Sequence, residues 1–317
     1  MLSLADIQNA RQRIQGRVKR TPLVSSETLS KRLGAEVFLK LELLQKTGSF
    51  KVRGAFNKIL SIPESERGRG LVAVSGGNHA QAVAHAAGQL GIAAVILMPE
   101  KTPRNYVDAT RGYGAEVVLA PTTHEAFEMV AAYERDGWTA VHPFDDPLVM
   151  AGQGTVGLEI VEDLPDVTDV IVSIGGGGFI GGVATAVKSL KPSARVWGVE
   201  TEGADAMSKA LAAGRPVQLE AITSIARTLG APMVSERTLM LAQTMLESVT
   251  VVPDSEAMNA LRFLLERAKV LTEPAASCTW AAAERLRESS PWTHSSKVVL
   301  VLCGGNLALD DLCRYQT

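Results

Sequence analysis

Short runs rich in Val, Ile and Leu alternate with segments of helical period almost from one end of the 317 residues to the other. EVFLKLELL (36–44), GLVAVS (70–75), AAVILMP (93–99), EVVLAP (116–121), DVIVSIG (169–175), RVWGVE (195–200) and KVVLVLCGG (297–305) read as strands. Unbroken apolar blocks of this length suit strands covered on both faces, as in parallel sheets. Between them, GNHAQAVAHAAGQL (77–90) reads as a helix whose small residues at i and i+4 permit close packing. DSEAMNALRFLLERAKV (254–270) reads as another, with Asp254-Ser255 and Glu256 resembling an N-terminal cap. Such alternation predicts an α/β fold with right-handed crossovers.

A length-over-150 prior gives roughly two domains. A formal charge of 32 − 34 = −2 leaves no surplus of Lys and Arg for phosphate neutralisation, which argues against nucleic acid as a partner. No apolar run approaches the roughly 20 residues of a membrane span. The first residues place Asp6 where a signal peptide needs an apolar block. The three cysteines, Cys278, Cys303 and Cys313, form no CxxC pair, which fits a reducing compartment. The expectation is a cytoplasmic enzyme. Cys278 and Cys313 read as small packing residues.

In an open α/β sheet, ligands bind beyond the carboxyl ends of the strands. Three glycine-rich turns follow apolar runs here: Ser75-Gly76-Gly77-Asn78-His79, Gly175-Gly176-Gly177-Gly178 and Cys303-Gly304-Gly305-Asn306. The second precedes the helical stretch FIGGVATAVKSL, so converging amides and a helix N-terminus suit a dianionic phosphate. The same stretch matches GxGxxG at Gly176, Gly178 and Gly181, with Glu200 closing the next strand, which opens an NAD-dependent oxidoreductase as an alternative. Ala73-Val74-Ser75-Gly76-Gly77 narrowly misses the GxSxG elbow, and His124-Glu125 lacks the second His of HExxH. The five histidines show no metal-ligand spacing.

KTGSFKVRGA (46–55) sets Lys51 in a Gly/Ser turn between a strand and a helix. A lysine attacks carbonyls when desolvation or nearby positive charge populates its neutral amine. In order along the chain, KTGSFKVRGA, SGGNHAQAV, HPFDDPLVMAGQGT, GGGG, EPAAS and CGGN closely resemble the serine/threonine dehydratases, which are fold-type II pyridoxal-phosphate (PLP) enzymes.

That resemblance implies two open, mostly parallel sheet domains of the tryptophan synthase β type. Residues 1–51 and 153–317 would form a large PLP-binding domain and 52–152 a small one, with Lys51 at the junction. It implies that Lys51 forms the Schiff base with PLP, that Gly175, Gly176, Gly177 and Gly178 hold its phosphate and that Asn78 bonds its ring oxygen. Cys303 would face the ring nitrogen, with Phe50 and Thr228 on opposite ring faces. Ser75, Gly76, Gly77, Asn78 and His79 would receive the substrate carboxylate, and Phe144 would line the substrate side. A thiol partners the ring nitrogen only weakly, so prompt expulsion of a β-leaving group is expected over a long-lived carbanion.

The expected reaction is β-elimination of water from L-threonine, L-serine or a bulkier β-hydroxy amino acid, giving a 2-oxo acid and ammonia. Racemisation, β-replacement and an idle ligand-binding protein are the other readings on this scaffold. Racemases of the family carry a second serine where Gly76 stands, and glycine has no proton to give. Glu200 with the carbonyls of Ala204, Leu229 and Ala231 resembles a monovalent-cation (K+) loop. Divalent-metal relatives carry an acidic residue where Ala206 stands; local capping is the other reading of Glu200. Family members are homodimers or homotetramers.

Overall fold

The computed structural model describes residues 2–290, 292–308, 311 and 312, so Cys313 lies outside the described residues. Ten strands occur among them: β1 (Leu23–Ser25), β2 (Glu36–Leu41), β3 (Leu71–Val74), β4 (Ala94–Pro99), β5 (Glu116–Ala120), β6 (Thr139–Ala140), β7 (Asp169–Ser173), β8 (Arg195–Thr201), β9 (Ser248–Val252) and β10 (Lys297–Leu302). They form a six-stranded sheet in the order β1-β2-β10-β7-β8-β9 and a four-stranded sheet in the order β5-β4-β3-β6. Every pairing is parallel except β1 with β2.

The apolar runs predicted from the sequence supply the central strands, and Val170, Ile171, Val172, Leu300 and Val301 are wholly buried, as a sheet covered on both faces requires. β1, β6 and β9 are not among the predicted strands. The first two are three and two residues long, and β9 is a half-exposed edge strand. The run 36–44 ends as a strand at Leu41 and continues as a 3-10 turn, Glu42–Leu44.

The expected helix 254–270 is α-helical over Asp254–Phe263, passes into a π turn over Leu264–Ala268 and stops at Lys269, whose φ is +60°. Its expected acidic cap is corrected: Asp254 accepts from the Ser224 hydroxyl (2.6 Å) and the Ile225 amide (2.9 Å), pinning a neighbouring loop.

Strand order reverses at one place in each sheet. From β7 the chain proceeds outward through β8 and β9, whereas β10 returns on the other side of β7. In the smaller sheet β4 and β5 lie on one side of β3 and β6 on the other. Crevices open at such reversals, at the carboxyl ends of the strands. The helix Pro147–Asp163, which carries positions on both sides of 152/153, lies against the helices Lys51–Leu60 and Gly178–Leu190. A Cβ at Gly152 would stand 2.6 Å from the Arg53 carbonyl, so glycine there sets how near the helices approach.

Candidate active site

Both reversals open into one cleft of about 690 Å³. Its walls include Phe50, Lys51, the Ser75–His79 turn, Phe144, the Gly175–Gly178 turn, Thr228, Leu229, Ala231 and Cys303. Local pairing explains why segments far apart in sequence meet: the Phe50 amide donates to the Cys303 carbonyl (3.1 Å) and the Gly305 amide to the Gly48 carbonyl (3.0 Å). The KTGSF and CGGN turns are thus zipped together at the end of β10.

Lys51 opens the helix Lys51–Leu60, and its Nζ donates to the Pro143 carbonyl at 2.8 Å. Burial pulls its pKa down to about 8, against the opposing influence of Cys303 and Glu273. Burial pushes the Cys303 thiol up to about 12, so it is neutral. It lies 3.4 Å from the Ser173 hydroxyl and 3.6 Å from the Ala275 carbonyl.

Gly177 takes φ +88°, a conformation L side chains rarely adopt, and caps the helix Gly178–Leu190. Among the described residues no backbone acceptor takes the amides of Gly175 through Ile180. These glycines have a packing role as well: a Cβ at Gly178 would stand 2.3 Å from the Phe144 carbonyl, and one at Gly176 would enter the Phe144 ring.

The Ser75 hydroxyl accepts from the Gly77 amide (3.1 Å), leaving its own proton for a ligand. His79 is buried beside Val141, its Nε2 2.8 Å from that carbonyl, and burial pushes its pKa down to about 3. The neutral ring therefore donates to Val141, and the position can offer a ligand its backbone more readily than its side chain. The Phe50 ring stacks on Phe179 with centroids 3.7 Å apart.

Glu200 is buried on β8, and burial pushes its pKa up to about 7. Its two oxygens accept the amides of Met207 and Ser208, each at 2.8 Å, at the start of the helix Ala206–Ala213. The Leu229 carbonyl accepts from the Ala231 amide at 2.7 Å. A dinucleotide fingerprint needs this carboxylate for a ribose hydroxyl. Here Glu200 is buried and is not among the residues lining the cleft, so it does not reach a ribose bound there, and the NAD alternative loses its acidic residue.

Glu273 has no role assigned from the sequence, although it opens the EPAAS motif. It is buried in the cleft wall, where Oε1 accepts from Asn78 Nδ2 (2.8 Å) and Thr228 Oγ1 (3.0 Å). Burial pushes its pKa up to about 7, against those two hydrogen bonds. Thr228 and Asn78, expected to touch the cofactor, are thereby joined to each other through Glu273.

Two mostly parallel sheets whose carboxyl ends open into one cleft, lined by a desolvated lysine and a four-glycine turn, are the architecture of a fold-type II cofactor-dependent enzyme. The chain belongs to the pyridoxal-phosphate-dependent enzyme family, whose model matches residues 14–304. An L-threonine ammonia-lyase of Thermotoga maritima is 43% identical over 316 residues, 99% of this chain and 78% of that protein. Among solved structures, maize serine racemase superposes with a TM-score of 0.94 at 36% identity, covering 98% of this chain and 96% of the other. A threonine deaminase from T.th. gives 0.90 at 40% identity, covering 97% and 99%.

The residues present fit PLP. The Gly175–Gly178 turn at a helix N-terminus, whose amides have no backbone acceptor among the described residues, suits its phosphate, a lysine with a lowered pKa suits its aldehyde, and an amide N–H of Asn78 suits its ring oxygen.

Proposed function

We propose that this enzyme is a lyase that eliminates water from a β-hydroxy α-amino acid, L-threonine or L-serine foremost, releasing a 2-oxo acid and ammonia. The observation that carries this reading is the pairing of Lys51, its pKa near 8, with a neutral Cys303 thiol in one cleft.

PLP supplies an electron sink for the bond-breaking at Cα. The Gly175–Gly178 amides and the adjoining helix N-terminus would hold its phosphate, and Phe50 and Thr228, in the same cleft wall, would lie on opposite faces of its ring. The Ser75–His79 turn receives the substrate carboxylate through backbone amides and the free proton of the Ser75 hydroxyl. Lys51 Nζ would take the Cα proton and, as the ammonium, give it to the departing β-hydroxyl, which leaves as water; the released enamine then takes up one water to give the 2-oxo acid and ammonia. Cys303, a neutral thiol, would offer the ring nitrogen no full charge, which would disfavour a long-lived carbanion and favour prompt loss of the β-substituent. Residues 52–152, as a small domain, carry the carboxylate turn toward the large domain that holds Lys51. The two described free cysteines, Cys278 and Cys303, support a cytoplasmic setting.

The test is a panel of β-hydroxy amino acids read as kcat/KM with ammonia and 2-oxo acid as products. L-Threonine should yield 2-oxobutanoate and ammonia in equal amounts. D-Serine should form from L-serine far more slowly than pyruvate does, because Gly76 offers no proton to the opposite face of Cα. No ammonia from any member, or racemisation as fast as elimination, overturns the assignment.

The resemblance of Glu200, Ala204, Leu229 and Ala231 to a cation loop supports a monovalent-cation requirement, since oxygen-only ligands suit a hard ion and each Glu200 oxygen, holding one helix amide, keeps a lone pair. Replacing K+ by a bulky organic cation should then lower turnover, and an unchanged rate removes this part of the reading.

A further inference from the structure

Three residues of the motifs are left without a chemical task by the function proposed above: Thr47 in KTGS, Glu273 in EPAAS and Asn306 in CGGN. They form one hydrogen-bonded chain that passes through Asn78, from the Thr47 carbonyl at one end to Glu273 at the other. Asn306 Nδ2 donates to the Thr47 carbonyl at 2.7 Å and to Asn78 Oδ1 at 2.8 Å. Asn78 Nδ2 donates to Glu273 Oε1 at 2.8 Å.

The polarity of this chain is fixed from one end. A backbone carbonyl can only accept, so the amide nitrogen of Asn306 must face Thr47. Its second N–H then meets Asn78, whose oxygen must face Asn306 and whose nitrogen must face Glu273. Thr47 holds its carbonyl in place from the left-handed region, at φ +62°, one of two non-glycine residues with positive φ among those described. Such conformations persist only where the surroundings hold them, and they gather at ligand sites. Packing leaves no slack: a Cβ at Gly48 would stand 2.4 Å from Asn306 Oδ1, and one at Gly304 would stand 2.7 Å from Glu273 Oε1.

An asparagine amide has two N–H groups and one oxygen. With the oxygen given to Asn306 and one N–H to Glu273, Asn78 keeps a single donor for the cleft. Were the amide turned over, it would present a carbonyl to an anionic ring oxygen.

We propose that Thr47, Asn306 and Glu273 are positioning residues that lock the Asn78 amide with its N–H toward the cofactor's ring oxygen. The inference rests on the PLP function proposed above. It goes beyond it by assigning the donor's orientation to residues that reading gives no task. Glu273 also has a second oxygen, Oε2, buried without a partner among the described residues. It shares the cleft wall with Lys51 and Cys303.

The discriminating comparison is Asn306→Ala against Asn306→Asp in the holoenzyme, read by the visible band of the lysine-bound cofactor against pH and by PLP loss on dialysis. If Asn306 only fills space, the near-isosteric Asp is the milder change. If it sets polarity, Asp is the harsher one, because it cannot donate to Thr47 or to Asn78 and draws the Asn78 nitrogen away from Glu273. We expect PLP loss to quicken about tenfold in Asn306→Ala, the equivalent of one hydrogen bond. Asn306→Asp should lose PLP faster still, with a displaced pH midpoint of the band.

Glu273 supplies a second comparison should Asn306→Asp not fold. Glu273→Gln, still an acceptor through Oε1, should retain PLP within about twofold of wild type, while Glu273→Ala should lose it about tenfold faster. Equal behaviour of Asn306→Asp and Asn306→Ala, or wild-type retention by Glu273→Ala, overturns the relay while the lyase reading stands. A wild-type protein whose Lys51 gains no mass on borohydride reduction overturns the lyase reading itself.

Discussion

Lys51→Ala should fold as the wild type does and lose turnover by at least about 10³-fold, the scale expected when one group serves as both covalent anchor and proton acceptor. The fold survives because Lys51 stands at the first position of its helix, where Ala is a good helix former, and gives up one hydrogen bond, to Pro143. Near-native thermal unfolding together with lost activity therefore separates chemistry from stability. Borohydride reduction should add the cofactor's mass to the peptide holding Lys51 in the wild type and to no peptide in the variant. The pH dependence follows from the same burial. With its pKa drawn down to about 8, the amine is protonated below that pH and nucleophilic above it, so the rate of cofactor capture should rise with pH through this region. A variant that turns over at wild-type rate, or retains a reducible band on that peptide, refutes the assignment.

How far the site could be read from the sequence varied with whether a group's role is local. The glycine turns were legible because each directly follows an apolar run, and a strand's carboxyl end is where a parallel sheet opens. Lys51 stands out in the sequence by its place in a Gly/Ser turn between strand and helix, and the structure puts it, desolvated, in the cleft wall; its Schiff-base role comes from the resemblance. Glu273 was not: a lone Glu before Pro reads as the start of a helix, and its meaning comes from Asn78, 195 residues away. Glu200 was ambiguous for the same reason, since ion, ribose and helix N-terminus all ask for a carboxylate. Only the tertiary placement of Met207 and Ser208 shows what it caps. Asp254 misled because its carboxylate crosses to the loop at Ser224 and leaves its own helix uncapped. The short strands β1 and β6 carry too few residues for any period to register.

The run EVFLKLELL, read as an apolar strand covered on both faces, also carries the charged Lys40 and Glu42, for which the sequence shows no partner. Both are wholly buried, and they meet Arg53 and Glu159 in a core of two cations and two anions. Arg53 forks onto Glu42 with bonds of 2.8 and 2.8 Å and onto Glu159 with 2.7 and 2.9 Å, while Lys40 reaches Glu159 at 2.6 Å. The cluster ties the turn after β2 and the helix Pro147–Asp163 to the helix that begins at Lys51, two residues before Arg53.

Arg53→Met should cost about 3–5 kcal/mol, because it strands buried carboxylates without a cation. The sign of the pH dependence is set by Glu42. Burial alone would raise its pKa, but Arg53 more than offsets this and holds it below the ordinary 4.5. A depressed carboxyl pKa stabilises the fold above 4.5, and that contribution is lost as pH falls through the folded value. In Arg53→Met the same carboxyl has lost that counterion, so the wild-type advantage in urea unfolding should be large at neutral pH and shrink on acidification. Replacing Arg53 and Glu42 together by Met and Leu removes a charge of each sign and leaves Lys40 paired with Glu159. The double variant should therefore recover much of the loss, as expected when a buried pair is replaced as a unit. A neutral-pH deficit in Arg53→Met below about 1 kcal/mol, the range of exposed ion pairs, would show that water reaches this cluster and that it does not brace the lysine's helix.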